Sequence, residues 1–477
     1  MTLDLRPDAC LIGGEWRSGG EWLEVRNPAD DSLIARVPAM GSRETQEAIA
    51  AAADALPGWA ALPASARADA LRRYHRLVME HQEELARILT AEQGKPLAEA
   101  RGEIAYAASF LEWFAAEAMR AYGEVIPATQ ADRRIMVIKQ PVGVVAAITP
   151  WNFPAAMITR KLAPALAAGC TIVIKPAEQT PLTAFALGVL AQAAGIPPGV
   201  VNIVTGDPVA IGGALTASPI VRKLSFTGST RTGALLYAQC APTVKKLSLE
   251  LGGNAPFIIF DDADVDAAVA GAMIAKFRNG GQTCVCANRF YVQTGIYDRF
   301  VQAFAAAAAA AALTVGPGDA PGTAIGPLVD DAAVAKVTAL IADARAKGAV
   351  PVGTERPVEG RFVPPMILAD VTPGMRLLEE EIFGPVAPVM RFADEAEAIR
   401  LANAVPDGLA AYVYTSDLAR SWRVGEALEA GMVGVNTGAI STEVAPFGGI
   451  KMSGLGREGS RHGLADYLEL KTMTVAL

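Results

Sequence analysis

The strongest constraint on the fold is an alternation of short β-rich runs with helical segments between residues 142 and 249. The predicted strands cover residues 142–148, 171–174, 201–204, 221–226 and 244–249, and the predicted helices cover 182–194, 209–217 and 230–239. Such alternation is typical of crossover connections and a mostly parallel sheet. Ligands of these sheets bind at the carboxyl ends of the strands, so the turns that follow the strands are the first candidates for a site.

A second alternating region begins near residue 251, and helical periodicity dominates the chain before residue 122. In the second region we predict strands over 257–260, 290–293, 386–392, 410–414 and 433–436, with helices over 264–277 and 297–313. The early helices are predicted over 42–56, 64–93 and 97–122. The final segment, 467–475, is extended and needs a neighbouring strand, which another subunit could supply. The chain is therefore predicted to be an α/β protein.

Charge and cysteine content exclude several classes of protein. The net charge of −8 lacks the electrostatic footprint of a nucleic-acid or membrane-surface binder. Three histidines and five cysteines, without paired zinc-ligand spacing, predict no metal site. The sparse, odd cysteine count favours a reducing compartment, and residues 1–14 lack the apolar stretch of a signal peptide. We expect a cytoplasmic protein.

Three turns that follow predicted strands carry polar residues suited to ligand binding. The rigid turn 149–154 presents the amide of Asn152, which could donate a hydrogen bond to an oxyanion. Residues 175–178 place a lysine and a glutamate where ribose hydroxyls bind in dinucleotide sites, although a solvated ion pair is the favoured alternative. Residues 226–230 begin a helix whose free N–H groups could bind an anion. An ordinary Ser/Thr helix cap would account for these residue types equally well.

Cys284 lies in a polar, glycine-flanked loop that follows a predicted helix. A structural cysteine normally lies among apolar neighbours, whereas a loop thiol that ionises easily is the usual arrangement of a nucleophile. No histidine is close in sequence, so papain-like chemistry is not supported. Glu250, at the end of a predicted strand, is the candidate base.

Residues 454–459 match the dinucleotide fingerprint G-x-G-x-x-G. The fingerprint requires a strand before it and a helix after it in a crossover unit. This copy follows a loop near the end of the chain. We therefore expect it to have no role at a pyrophosphate.

In their order along the chain, these motifs resemble those of the aldehyde dehydrogenase superfamily. The resemblance rests on residues 149–154, 175–178, 226–230, 249–254, 281–284 and 381–385 and runs from about Asn27 to the C-terminus. It implies a Rossmann-like NAD(P)-binding domain formed by residues 1–121 and 141–250 and an α/β catalytic domain formed by 251–440. It also implies a small β oligomerisation arm, formed by 122–140 and 460–477, through which family members form homodimers or homotetramers.

The resemblance further implies roles for individual residues. Cys284 would be the nucleophile, Glu250 would activate water, and Asn152 with the Cys284 backbone N–H would hold the oxyanion. Lys161 would belong to the framework near Asn152. The implied cofactor-binding residues are Trp151, Lys175, Glu178, Thr227, Gly228, Ser229, Leu251, Glu381 and Phe383. A carboxylate at Glu178 would repel a 2′-phosphate, which favours NAD and leaves NADP open.

Within the superfamily, residues 151–161, 277–288 and 448–459 are most similar to succinate-semialdehyde dehydrogenases. The resemblance implies that Arg160 and Arg278, with the Ser441 hydroxyl, hold the distal carboxylate of a small aldehyde. Without the family resemblance, both arginines would be interpreted as surface residues of helices.

Several alternatives stay open from the sequence. They are glutarate semialdehyde as substrate, broad aldehyde specificity, a cysteine esterase or thioesterase without redox chemistry, and a binding protein on a retired dehydrogenase scaffold. A reversible, strained disulfide between Cys284 and Cys286 is a further hypothesis.

Overall fold

The structure, a computed structural model, describes residues 3–312, 314–353 and 355–477. The strands are β1 Cys10–Ile12, β2 Glu15–Arg17, β3 Glu21–Arg26, β4 Leu33–Ala39, β5 Glu124–Ile126, β6 Arg133–Pro141, β7 Val144–Ile148, β8 Thr171–Lys175, β9 Val201–Ile203, β10 Val221–Thr227, β11 Lys246–Glu250, β12 Ala255–Ile259, β13 Ala287–Gln293, β14 Val350–Val352, β15 Met366–Ala369, β16 Val386–Phe392, β17 Asp407–Gly408, β18 Ala410–Tyr414, β19 Met432–Val435, β20 Ile450–Lys451, β21 Gly454–Leu455 and β22 Leu468–Ala476.

The helices separate these strands in both alternating regions. They are α1 Ser42–Ala60, α2 Ala64–Glu80, α3 Gln82–Gln93, α4 Leu97–Ala118, α5 Ala156–Ala168, α6 Pro181–Ala193, α7 Pro208–Ala217, α8 Thr230–Cys240, α9 Val265–Phe277, α10 Tyr297–Ala312, α11 Asp331–Ala346, α12 Arg376–Glu379, α13 Glu395–Asn403, α14 Leu418–Ala427 and α15 Ser460–Ala465. Short 3₁₀ segments cover Ala241–Thr243 and Arg278–Gly281.

The first alternating region folds into an eight-stranded sheet with the order β2-β1-β9-β8-β7-β10-β11-β21. Strands β9, β8, β7, β10 and β11 are parallel, which confirms the prediction. Every residue of β8 is buried, and only the last residue of β7 is partly exposed. Strands covered on both faces appear in sequence as continuous apolar runs, and this is why the pattern reveals them.

Three short strands of this sheet are not predicted by the sequence pattern. β1 and β2 form an antiparallel edge next to β9. β21 pairs antiparallel with the end of β11 and places Gly454 opposite Glu250. The glycine motif at 454–459 thus begins in an antiparallel edge strand of two residues and precedes the six-residue helix α15, so it does not belong to a parallel crossover unit.

The second alternating region forms a seven-stranded sheet with the order β14-β15-β16-β13-β12-β18-β19. All its neighbouring strands are parallel except β14 and β15. The loop that follows β11 connects the two sheets, since β11 ends at Glu250 and β12 begins at Ala255. The predicted domain boundaries stay a prediction; the structure shows which strands share each sheet.

The terminal strand β22 finds its neighbour within the same chain. It pairs antiparallel with β6 along its whole length, and β5 completes a three-stranded sheet. The predicted need for a neighbouring strand is therefore met within the chain, and no second subunit is required for this pairing. That this sheet serves as an oligomerisation arm, formed by 122–140 and 460–477, stays a prediction.

The early helices differ from their predicted limits. The helix predicted over 64–93 is two helices, α2 and α3, separated at His81, whose φ of −102° departs from helical geometry. The helix predicted to reach 122 ends at Ala118. The helix predicted over 297–313 is seen as far as Ala312, and residue 313 lies outside the described residues. None of the described helices is both long and apolar enough to span a bilayer.

Candidate active site

A cavity of about 330 Å³ lies where the strand ends of the first sheet face the loops of the second. Most of the predicted site residues line it: Trp151, Asn152, Arg160, Thr227, Gly228, Ser229, Glu250, Leu251, Arg278, Cys284, Glu381, Phe383 and Ser441. Lys175 and Glu178 do not line it. The structure thus brings together the candidate nucleophile, base and oxyanion donor from separate parts of the chain.

Cys284 is presented by a loop with unusual backbone geometry. Asn279, Gly280 and Gly281 all have left-handed φ values, of 51°, 61° and 78°. A Cβ at position 281 would collide with the carbonyl of Gly384, so this turn requires glycine. The loop places the half-buried Cys284 thiol at the cavity.

Cys284 is not the easily ionised thiol that its loop predicts. Burial raises the pKa of Cys284 to about 12, and the nearby Arg160 guanidinium only partly opposes this shift. The thiolate is therefore a minor species until a base accepts its proton. All five cysteines are free thiols, and pairing of Cys284 with Cys286 stays a prediction.

Asn152 lies in the turn between β7 and α5 and faces the Cys284 loop. Its side-chain Nδ2 donates to the backbone carbonyl of Gln282 at 3.0 Å. The backbone carbonyl of Asn152 accepts from Asn279 Nδ2 at 3.0 Å. An amide nitrogen carries two hydrogens. The contact with Gln282 uses one of them, and Asn152 lines the same cavity as Cys284.

Glu250 ends β11 with its carboxylate buried in the protein. Neither carboxylate oxygen has a hydrogen-bond partner among the described residues. Burial raises the pKa of Glu250 well above its usual value, the carboxylate of Glu458 raises it further, and Lys161 and Arg160 oppose the shift. A carboxylate with a raised pKa and unpaired oxygens can accept a proton from water near neutral pH.

Residues at the end of β10 and the start of α8 form one wall of the cavity. The Ser229 Oγ accepts from the Thr232 N–H at 3.3 Å, so this serine is a helix cap. The remaining first-turn N–H groups have no partner within the helix. A Cβ at Gly228 would lie 2.5 Å from the Phe226 ring, so a side chain here would have to displace that ring.

Glu381 and Phe383 face this wall from the second sheet. Glu381 accepts from the Gly253 N–H at 3.2 Å, and burial raises its pKa to about 7. The Phe383 ring contacts Trp151 edge to face, with centroids 5.6 Å apart. Together with Leu251, these side chains line a mostly apolar groove within the cavity.

Lys175 and Glu178 lie at the end of β8, outside the cavity. Lys175 is paired with Ile148 in the sheet, directly before the turn that carries Trp151 and Asn152. Its ammonium donates to the Glu178 carboxylate. The predicted ion pair is therefore present, and Glu178 remains one-third exposed.

Arg160, in α5, has a guanidinium buried among aromatic rings. Its Nη2 donates to the Tyr106 hydroxyl at 2.8 Å, and its Cζ lies 4.1 Å from the centroid of the Phe447 ring. Its Nε and Nη1 have no hydrogen-bond partner among the described residues, although Nη1 lies 3.8 Å from the Glu458 carboxylate. Unpaired buried donors are costly, so these nitrogens indicate a site for an anion.

Arg278 and Ser441 line the same cavity. Arg278 begins the 3₁₀ segment before Cys284, is half-buried, and places its guanidinium 4.9 Å from the centroid of the Phe153 ring. Both arginines therefore lie at the cavity instead of on the surface. Among the described residues, no group of three His, Cys, Asp or Glu side chains could hold a metal ion.

Sequence reasoning missed three residues of this site: Tyr106, Phe447 and Glu458. Tyr106 and Phe447 line the cavity beside Arg160. Glu458 lies behind it, accepts from Lys161 and from Ser225, and is buried. Tyr106 belongs to an apolar helix, and the other two belong to a loop, so no local spacing identifies them.

Comparison with known proteins gives the class of enzyme to which this fold and cavity belong, an oxidoreductase of the aldehyde dehydrogenase type. Residues 16–473 match the model of the aldehyde dehydrogenase family, and the chain belongs to this family. The predicted fold class and enzyme class are therefore confirmed.

Relatives with high identity cover nearly the whole chain. The succinate-semialdehyde dehydrogenase [NADP(+)] of Escherichia coli is 60% identical, over 98% of both chains. The glutarate-semialdehyde dehydrogenase of Pseudomonas putida is 59% identical, again over 98% of both. The crystal structure of succinate-semialdehyde dehydrogenase from Burkholderia pseudomallei is similar with a TM-score of 0.97 and 57% identity, covering 99% of this chain and 98% of that one.

Proposed function

We propose that this enzyme oxidises succinate semialdehyde, or a similar ω-carboxylated aldehyde, to the acid with NAD(P)⁺. The observation that carries the proposal is the buried Arg160, which has two unpaired nitrogens and lines the same cavity as Cys284. The relatives named above carry the names of semialdehydes with a distal carboxylate. A carboxylate bound by Arg160 and Arg278 would satisfy the unpaired donors through charge-assisted hydrogen bonds.

Cys284 begins the reaction in this proposal. Its thiol proton passes to solvent water, the resulting thiolate adds to the aldehyde carbon, and the oxyanion accepts hydrogen bonds from the Asn152 amide and the Cys284 backbone N–H. Each such donor contributes about 3 kcal/mol in the transition state. The nicotinamide supplies a hydride acceptor when it is bound, and loss of the hydride leaves a thioester on Cys284. Glu250 then takes a proton from water, whose oxygen attacks the thioester carbonyl. The C–S bond breaks, which releases the acid and returns Cys284 as the leaving thiolate.

The groove suits a dinucleotide. The first turn of α8, opened by Thr227, Gly228 and Ser229, offers backbone N–H groups to a pyrophosphate. Trp151, Leu251, Glu381 and Phe383 would surround the nicotinamide half, while Lys175 and Glu178 would bind the adenosine ribose. We propose NAD as the preferred cofactor with NADP also accepted, because Lys175 neutralises part of the Glu178 charge.

Replacing Glu178 by serine is expected to raise the ratio of kcat/KM with NADP⁺ to that with NAD⁺ by about fivefold. This corresponds to about 1 kcal/mol, the scale of a partly exposed charge interaction. The substitution removes a carboxylate and frees the Lys175 ammonium for a phosphate. Steady-state kinetics with both cofactors check the ratio, with the exposed Glu112→Ser as a matched control. An unchanged ratio would show that Glu178 does not discriminate.

Replacing Arg278 by alanine is expected to raise KM for succinate semialdehyde by about 10- to 100-fold, since hydrogen bonds to charged groups contribute about 1.5–3 kcal/mol. The KM for butanal, which has four carbons and no carboxylate, is expected to change little. Kinetics with the two aldehydes measure the difference, and Arg299→Ala, from helix α10, is the control. Equal effects on both aldehydes would contradict the substrate assignment.

Glutarate semialdehyde is a second candidate substrate. A relative 59% identical to this chain bears that name. One additional methylene changes binding by only about 1–3 kcal/mol, and the same arginines suit its carboxylate. The ratio of kcat/KM for the two semialdehydes decides which one is preferred.

We also propose that the enzyme is a cytoplasmic homodimer or homotetramer assembled through the β5-β6-β22 sheet. β22 is an edge strand with an unpaired side. Val125, Leu470 and Val475 expose apolar side chains on this sheet, as a face that packs against another copy would. The five free cysteines suit a reducing compartment.

A further inference from the structure

A buried ion pair lies behind the Asn152 turn and has no part in the chemistry described above. Lys95, in the connection between α3 and α4, places its Nζ 2.5 Å from the carboxylate of Glu103 in α4. Both side chains are almost completely buried. A buried ion pair is weak evidence for stability, because desolvation offsets much of the attraction. The hydrogen bonds that Lys95 and Glu103 make to other residues therefore say more about the role of the pair than its charges do.

The pair is bound to both ends of the segment from Asn152 to Ala156. Lys95 Nζ donates to the Asn152 carbonyl at 2.8 Å and lies 3.9 Å from the centroid of the Phe153 ring. Glu103 accepts from the N–H groups of Ala155 and Ala156 at 2.9 and 3.3 Å, where α5 begins. One lysine and one glutamate thus fix the turn that carries the oxyanion donor.

A second set of contacts ties this turn to the Cys284 loop. Asn279 donates through Nδ2 to the same Asn152 carbonyl, and its backbone N–H donates to Glu99 at 2.8 Å. Asn152 in turn donates to the carbonyl of Gln282. The Asn152 peptide is therefore held between α4 and the loop that presents the thiol.

We propose that Lys95, held by Glu103, is a positioning residue that orients the Asn152 peptide so that its side-chain amide meets the oxyanion formed on Cys284. The inference rests on the proposed function. Oxyanion donors act only when they lie about 2.7–3.1 Å from the developing charge, and a displacement of about 1 Å can reduce a rate by about 10²-fold. Lys95 itself touches neither the cavity nor the thiol.

The test variant is Lys95→Met/Glu103→Gln. Removing both charges avoids the unpaired carboxylate that Lys95→Met alone would bury, and glutamine keeps an acceptor for the α5 N–H groups. We expect kcat for succinate semialdehyde to fall by about 10- to 100-fold, with KM and NAD⁺ affinity within about twofold of the parent. Lys245→Met is the matched control, because Lys245 also donates to buried backbone carbonyls but lies away from the cavity. It should leave kcat unchanged.

A double-mutant cycle separates positioning from general structural support. In an Asn152→Ala background, the Lys95→Met/Glu103→Gln change should lower kcat less than about threefold further, since the donor that it positions is absent. An equal loss in both backgrounds, or an unchanged kcat in the folded variant, would overturn the proposal. If thermal melting shows that the double variant is unfolded, Lys95→Leu/Glu103→Gln carries the same comparison. Failure of the proposed function itself would appear differently, as a parent enzyme that forms no NADH from succinate semialdehyde; full activity of Asn152→Ala alone would overturn the positioning proposal.

Discussion

Replacing Cys284 by serine is expected to lower kcat for aldehyde oxidation at least about 10⁴-fold, as loss of a catalytic nucleophile does elsewhere. The physical reason is that the hydroxyl is far less acidic than the thiol, and this site raises the pKa of the thiol already. NAD⁺ affinity should stay within about twofold, because the groove residues are unchanged. NADH absorbance measures the rate, and fluorescence titration measures the affinity.

Cys286→Ala is the matched control for this substitution. Cys286 lies two residues further along, is buried, and points its thiol towards the Lys276 carbonyl instead of the cavity. We expect its removal to leave kcat within a few-fold of the parent. Aldehyde oxidation that survives Cys284→Ser, or is lost in Cys286→Ala, would contradict the assignment of the nucleophile. Ester hydrolysis without NADH formation in the parent would favour the non-redox alternative.

The central strands of both sheets could be predicted because burial on both faces leaves an apolar run in the sequence. β7, β8 and β16 are the clearest cases. β1 and β2 have three residues each and β21 has two. Strands this short carry no readable period, and their pairing depends on partners far along the chain. The break at His81 was missed for a related reason, since the apolar spacing continues across it.

The residue types at the site could be predicted, but their electrostatic state could not. Cys284, Glu250 and Asn152 lie in motifs that identify the family. The raised pKa of Cys284 and the unpaired nitrogens of Arg160 follow from packing around them. The packing around Arg160 comes from Tyr106, Phe447 and Glu458, which long-range folding brings to α5. A local sequence pattern does not indicate contacts between residues that are far apart in the chain.

Replacing Glu250 by glutamine is expected to lower steady-state kcat by about 10²- to 10⁴-fold, the usual contribution of a general base. Glutamine keeps the size of the side chain but cannot accept a proton from water. The steps before hydrolysis should continue, so a thioester should accumulate on Cys284. Rapid mixing should therefore show a burst of about one NADH per active site followed by slow turnover. Hydroxylamine, which attacks thioesters without a protein base, should restore turnover.

The pH dependence of kcat is an independent test of Glu250 as the general base. Because the pKa of Glu250 is raised, its carboxyl group stays protonated at pH values where an ordinary glutamate is ionised. The kcat of the parent should thus fall as pH decreases, with a midpoint well above the usual glutamate range, and this acid limb should be absent in Glu250→Gln. Glu92→Gln is the matched control: burial raises the pKa of Glu92 to about 8, but this residue caps α6 outside the cavity. A variant at Glu250 that shows no burst, or keeps the acid limb, would require another base for thioester hydrolysis.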